Sequence, residues 1–294
     1  MRKPAMKIRD PPDGADGKTG YGPAMTAVET DAGPGPQTPL VFASPHSGAE
    51  YPDDMGAAAG LSDTALRSAE DAQVDRLIAP GRAAGAAVIA GLYGRAYLDL
   101  NRDPGELDPL LIEGVATEGI SAKVRAGYGV LPRLSGDGVA LYDRRLTLEE
   151  ARDRIARVHA PYHAELARLM QAARARHGRA VLVDWHSMPA RAGAVDVVLG
   201  DRHGAACGAA FSRRLRSLFE QLGWRVALNQ PYAGGYSTQT WGRPAEGHEA
   251  LQVEISRRLY WDEAARGPGP GYERCRRGLE RVIAALCRGS DRLV

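Results

Sequence analysis

The sequence predicts an α/β fold: a single domain built on a mixed, mostly parallel central sheet flanked by helices. Three observations lead there. Short apolar runs that end in polar residues alternate along the chain with longer helix-like stretches, the pattern of a sheet wrapped by helices. Apolar residues make up 44% and charged residues 25% of the chain, as in an ordinary globular protein. Its 294 residues fit one large α/β core.

Residues 1–35 are rich in Gly, Pro, Asp and Lys and show neither apolar period, so they are expected to be a flexible extension ahead of a domain over 36–294. Pro39 to Ser44 reads as the first strand, Asp63 to Ala84 as a helix opened by an Asp or Ser cap, and Ala86 to Tyr93 as a second strand. A long helix over Leu148 to His177 starts after Thr147, with Glu149 and Glu150 in its first turn, where carboxylates suit the positive end of the helix dipole. Ala180 to Val183 is a short apolar strand followed at once by Asp184, Trp185 and His186. Val195 to Leu199, Arg225 to Leu228 and Ala250 to Ile255 read as further strands, with helices over Cys207 to Leu222 and Tyr272 to Leu286. There is no internal repeat.

Several function classes are disfavoured. A net charge of +2, from 38 basic and 36 acidic residues, provides no large basic field for a nucleic-acid backbone. No run approaches the roughly 20 apolar residues of a membrane helix. Cys207, Cys275 and Cys287 form no CxxC pair and leave one odd, which suits packing roles in a reducing compartment. The Met-Arg-Lys opening lacks the apolar stretch of a secretory signal, so the cytoplasm is the expected location.

Ligands of open α/β sheets gather beyond the carboxyl ends of strands, which directs attention to polar residues that follow apolar runs. His46 follows the first strand in Ser44-Pro45-His46-Ser47-Gly48, and His186 follows the run from Ala180 in the same manner. Two imidazoles so placed suit Zn²⁺, one per chain, which in catalytic sites takes three protein ligands and keeps one position open. A carboxylate is wanted as the third, and Asp71, Asp75 and Glu50 are the candidates. Asp184, two residues before His186 on extended chain, points to the same side and suits orientation of an imidazole. Glu254 is an acid within the apolar strand Leu251-Gln252-Val253-Glu254-Ile255. Burial there raises its pKa and fits it for general-base work, with Arg257 a nearby partner.

Asp99, Asn101 and Arg102 follow another apolar stretch, and an Asn-Arg pair suits a carboxylate or a developing oxyanion. The segment Asn229 to Thr238, with Tyr232, Gly234 and Gly235, is a glycine-bearing loop able to fold over a site. Arg95, Arg133, Arg243 and Arg257 are further candidates to hold an acidic substrate group. A serine hydrolase using Ser47 or Ser187 lacks the GxSxG elbow. A non-catalytic ligand-binding protein of the same fold is the other competing class, and intact His46, His186 and Glu254 speak against it.

The motifs SPHSG with Tyr51-Pro52, DLNR, PYH at 161–163, DWHSMP, NQPYAGGYS and LQVEISRRLY occur in that order between about residues 40 and 263. Together they resemble the N-formylglutamate amidohydrolase family, itself similar to the zinc carboxypeptidase and aspartoacylase group. The resemblance implies His46 and His186 as metal ligands, Glu254 as the base that activates water, and Asn101 and Arg102 as substrate or transition-state contacts; Tyr232, Gly234 and Gly235 of the loop and Arg257 are the further substrate-binding candidates read from the residues. The related carboxypeptidases carry HxxE, whereas Ala49 stands at that position here and Glu50 comes one residue late. That departure favours Asp71 as third ligand. His163 matches a family feature without a derived role. The implied reaction is hydrolysis of a small N-acyl amino acid, N-formyl-L-glutamate first, with another N-acyl amino acid or a small acidic peptide as the rival substrate.

Overall fold

The computed structural model describes residues 28–30, 36–190 and 195–289. Strands β1 (Val28–Thr30), β2 (Leu40–Ser44), β3 (Ala87–Gly91), β4 (Ala180–Met188), β5 (Val197–Gly200), β6 (Val226–Leu228) and β7 (His248–Ser256) form one sheet. Their spatial order is β1-β3-β2-β4-β7-β5-β6. The central strands β3, β2, β4 and β7 are parallel, β1 pairs antiparallel with β3, and β5 pairs antiparallel with β7. The mixed, mostly parallel α/β architecture is the predicted one.

The helices are α1 (Asp63–Leu66), α2 (Val74–Ile78), α3 (Pro80–Ala83), α4 (Ala122–Arg125), α5 (Leu148–Arg154), α6 (Ala160–His177), α7 (Ala209–Glu220), α8 (Tyr236–Trp241) and α9 (Tyr272–Arg288). Helices α2, α3, α7 and α9 cover one face of the sheet, and α6 packs on the other against β2, β3 and β4. Both faces are therefore covered, and β2, β3 and the first half of β4 read as continuous apolar runs rather than alternating ones. Phe42, Val183, Trp185, Val253 and Ile255 point into the core under α7 and α9, while Ala43, Leu182 and Ala250 point toward α6. Helix α9 buries Cys275, Leu279, Val282, Ile283 and Leu286, the three-and-four spacing of an amphipathic helix. All three cysteines are buried and free, as packing roles require.

Three differences from the sequence reading bear on the site. The single helix expected over 63–84 is three short helices, with a turn at 67–73 in which Gln73 takes φ +64°. Strand β4 runs on to Met188, so Asp184 and His186 lie inside a strand rather than after one. Its nine-residue register with β7 carries it past the end of β2, whose pairing with β4 stops at Asp184. Finally, Val28–Thr30, within the expected extension, pairs with β3. The remainder of that extension, 1–27 and 31–35, lies outside the described residues.

The 148–177 helix is continuous, with a π-helical turn over Ile155–His159 joining α5 to α6. Its start is a capping box: Thr147 Oγ1 accepts from Glu150 N–H at 3.1 Å, and Glu150 Oε2 accepts from Thr147 N–H at 2.7 Å. Thr147→Ala is expected to cost about 1 kcal/mol, read as a lower urea midpoint at unchanged m-value.

Candidate active site

On the face of the sheet that meets α6, the side-chain pattern changes from apolar to polar along the central strands. Ala180 and Leu182 of β4 give way to Asp184 and His186, and Ala250 of β7 gives way to Gln252 and Glu254. Register places Asp184 beside Gln252 and His186 beside Glu254. Because side chains alternate across a strand, all four project to one side. His186, Gln252 and Glu254 form part of the floor of a cavity of about 570 Å³, a size suited to a small ligand, and Asp184 backs His186 from beneath it.

His46 reaches this floor from the turn after β2, and Asp71 from the break between α1 and α2. Asp71 N–H donates to the His46 carbonyl at 2.9 Å, and Ser47 Oγ donates to the Asp71 carbonyl at 3.2 Å. Arg257 holds the break open. Its guanidinium donates to the carbonyls of Ser68 at 3.2 Å and Glu70 at 2.6 Å, and to Ser187 Oγ at 3.1 Å. Arg257 lines the cavity, but these donors face the Asp71 turn and β4 rather than a ligand.

His46, Asp71 and His186 converge, all buried. His46 Nδ1 lies 3.1 Å from His186 Nδ1 and 3.3 Å from Asp71 Oδ2, and His186 Nδ1 lies 3.0 Å from Asp71 Oδ2. The far side of each ring faces a buried carboxylate: His46 Nε2 meets Asp99 Oδ1 at 2.7 Å, and His186 Nε2 meets Asp184 Oδ2 at 3.0 Å. These contacts set Nε2 of each ring against a carboxylate and turn both Nδ1 atoms toward Asp71, where each can donate to it or, on losing its proton, offer a lone pair to a cation. Two lone pairs and a carboxylate oxygen at such distances fit a tetrahedral divalent cation with one open position.

The electrostatics agree. Burial opposes a charged His186, yet Asp184 and Asp71 hold its pKa well above the usual value. Burial also opposes ionised Asp71, yet hydrogen bonds from His186 and His46 hold it well below the carboxylate range. This floor stabilises positive charge. Asp75 and Glu50 are not in the cluster; Glu50 is exposed, and Asp75 lies on α2 with its N–H bonded to Ser47 Oγ. Ser47 and Ser187 are each bonded to Asp71, at its carbonyl and at Oδ1, and neither hydrogen-bonds a histidine among the described residues, which leaves the serine-hydrolase reading without its base. Asp99→Asn would disturb the Nε2 contact of His46 and is expected to weaken cation affinity by about 10- to 100-fold, read by competition with a chromogenic chelator.

Glu254 is buried, and its pKa is pushed up to about 7. Burial is the main cause, opposed by His186 and reinforced by Asp71. Gln252 Nε2 donates to Glu254 Oε1 at 2.7 Å. Asn101 sits behind His186: its Nδ2 donates to Asp184 Oδ2 at 3.1 Å and lies 3.1 Å from His186 Nε2, while its Oδ1 accepts from Ser237 N–H at 2.8 Å. A Cβ on Gly235 would meet the Asn101 amide at 2.5 Å, so only glycine lets the loop before α8 lie on it.

Arg95, Arg102 and Lys123 line one wall of the cavity. Arg95 Nε donates to Asp99 Oδ2 at 2.9 Å, whereas Arg102 Nε lies 3.7 Å from that oxygen and has no hydrogen-bond partner among the described residues. The Lys123 pKa is lowered by burial and by Arg102 and Arg95, the mark of an excess of positive charge. Tyr232, Gly234 and Gly235 also line the cavity. Arg133 and Arg243 do not, and pair instead with Asp108 and Glu246.

Asp99, Lys123, Gln252 and His159 carry parts of this arrangement that the sequence reading did not assign to it. His159 and His163, one helical turn apart, donate to the carbonyls of Arg102 at 2.9 Å and Leu100 at 2.8 Å. They clamp the chain on either side of Asn101. Burial pushes His163 down to about 4, which keeps it a neutral donor. His159 carried a usable signal, its i,i+4 spacing from His163.

Comparison with known proteins identifies the family. The family model described as N-formylglutamate amidohydrolase matches residues 38–261. The N-formylglutamate deformylase of Pseudomonas aeruginosa is 30% identical over 243 residues, covering 78% of this chain and 84% of that protein. That of Pseudomonas putida is 30% identical over 236 residues, covering 76% and 82%. The crystal structure of N-formylglutamate amidohydrolase from Ralstonia eutropha superposes with a TM-score of 0.86 at 33% identity, covering 92% of this chain and 100% of that one. The chain belongs to the N-formylglutamate amidohydrolase family.

Proposed function

We propose that the protein hydrolyses N-formyl-L-glutamate to formate and L-glutamate, with a zinc ion held by His46, Asp71 and His186 and with Glu254 as the general base. The observation that carries the reading is the convergence of two Nδ1 lone pairs and the Asp71 carboxylate on the strand face that bears Glu254. The activity named for the relatives is the second support.

A bound zinc ion would polarise the formyl carbonyl and acidify an attacking water. Glu254 takes a proton from that water as its oxygen bonds to the formyl carbon, and returns the proton to the nitrogen as the C–N bond breaks. Arg102, with its open Nε, and Arg95 and Lys123 around it give the substrate's carboxylates a cationic wall. His159 and His163 hold the segment that carries Arg102, and Asn101 keeps Asp184 and His186 in register. The proposed partner of this site is a small N-acyl amino acid. No helix among the described residues is long and apolar enough to cross a membrane.

Metal content of the purified protein, followed by formate release from N-formyl-L-glutamate, tests the proposal. About one zinc per chain with formate release is expected. Zinc without formate release would shift the substrate to another N-acyl amino acid or a small acidic peptide, and absence of metal after zinc loading would overturn the mechanism. The pH profile is a separate check. Glu254 must be deprotonated to act, so kcat/KM should fall on the acid side. Its pKa of about 7 without a cation is lowered by one nearby, which puts the midpoint of that limb at or below about pH 7. A limb centred well above 7 would exclude Glu254 as the group that titrates.

A further inference from the structure

Gln252 is 5% exposed and lines the cavity, yet only one end of its amide is engaged. Nε2 donates to Glu254 Oε1 at 2.7 Å, the orientation required by the ionised Glu254 that acts as base, because a carboxylate can only accept. Oε1 is buried and has no hydrogen-bond partner among the described residues. Buried carbonyl oxygens are rarely left so.

The surroundings narrow what the acceptor is for. On its face of the sheet Gln252 lies between Asp184 of β4 and Gly200 of β5. Gly200 has no side chain to offer, and a Cβ there would meet the backbone of Ala233 and Gly234 at 2.7 and 2.9 Å. The glycine-bearing loop thus lies directly over this part of the floor. Asp184 Oδ1, on the neighbouring strand, likewise has no hydrogen-bond partner among the described residues. Two side-chain acceptors thus stand side by side here without a side-chain donor, and the open side of Oε1 is the cavity, from which a ligand can bring one. The atom that brings one is the nitrogen that Glu254 protonates, because Gln252 is hydrogen-bonded to Glu254 itself.

We infer that Gln252 Oε1 accepts the N–H of the scissile amide, so that Gln252 makes the enzyme selective for secondary amides while its Nε2 holds Glu254 in position. This rests on the amide-hydrolase reading above. The hydrogen bond persists after the C–N bond breaks, since the departing amine still carries N–H groups toward Oε1. A tertiary amide leaves the buried oxygen unpaired and loses that stabilisation.

The experiment compares kcat/KM for N-formyl-L-glutamate and N-formyl-N-methyl-L-glutamate in wild type, Gln252→Met and Gln252→Glu. In Gln252→Met, which lacks the acceptor, the preference for the secondary amide should fall about tenfold from its wild-type value. In Gln252→Glu, which keeps an acceptor at that position, the preference should survive even as the loss of the donor to Glu254 lowers both rates. If Gln252→Met slows the two substrates equally, Gln252 only positions Glu254 and the inference fails. Should Gln252→Met not fold, loss of the preference in Gln252→Glu overturns it in the same way. Failure of wild type to release formate from the secondary amide would instead count against the proposed function, and the same pair of variants would then be read on the secondary and tertiary amides of the N-acyl amino acid that is cleaved.

Discussion

Glu254→Gln is expected to lower kcat by about 10²- to 10⁴-fold while leaving bound zinc unchanged. The side chain differs from the original by one heavy-atom substitution, and Gln252 Nε2 still finds an amide oxygen to bond, so the strand pair β4–β7 is preserved. What disappears is the only buried carboxylate on this floor held near neutrality, the value that lets one group both take a proton from water and give it back to an amine. Asp71 and Asp99 are held well below the usual carboxylate range and are too weak as bases to substitute. Formate release measured alongside metal content distinguishes the outcomes. More than a tenth of wild-type kcat in the variant would remove Glu254 from the base position, and loss of zinc would make it a ligand.

Removing the cation is expected to abolish turnover and to lower the thermal midpoint by about 10 °C. The ligand set exists only in the folded chain, since His46, Asp71 and His186 come from three separate segments. At a free cation concentration about a thousandfold above its Kd, binding to the native state alone adds about 4 kcal/mol, and each kcal/mol moves the midpoint of a domain this size by about 2–4 °C. Calorimetry with and without a strong chelator reads the shift, and zinc added back should restore both midpoint and formate release. His46→Ala should show the lower midpoint and little response to either treatment. A wild-type midpoint indifferent to chelator would mean that the three side chains do not hold a cation.

Much of the site was legible because strand register obeys a period of two. Asp184 on the same side as His186 follows from extended chain, Glu254 shows as an acid in an apolar strand, and the motif SPHSG places His46 at the exit of β2. The helix expected over 63–84 could not be corrected from the sequence, since Ala65 to Ile78 contains neither Gly nor Pro and has ordinary helix formers throughout. The break is imposed from far away, by Arg257 taking the carbonyls of Ser68 and Glu70 and by the His46 carbonyl taking the Asp71 N–H. The length of β4 was understated for a related reason: Asp184 and His186 look like strand terminators locally, and only their burial and their pairing with β7 keep them extended. Gln252 escaped notice because a lone Gln in an apolar run carries no signal until its neighbour's carboxylate is placed.

Asp99 is shared. One oxygen faces His46 and the other faces Arg95, with Arg102 close by, so a single carboxylate serves the side of the cavity proposed to hold the cation and its cationic wall at once. With a cation on His46, a ligand carboxylate that drew the guanidinium groups toward itself would leave more of the Asp99 charge to polarise His46 and would strengthen the ring as a donor. Affinity for the cation and affinity for the substrate would then be thermodynamically linked, and linkage is reciprocal: whatever factor a bound acid confers on cation binding, the cation confers on the acid.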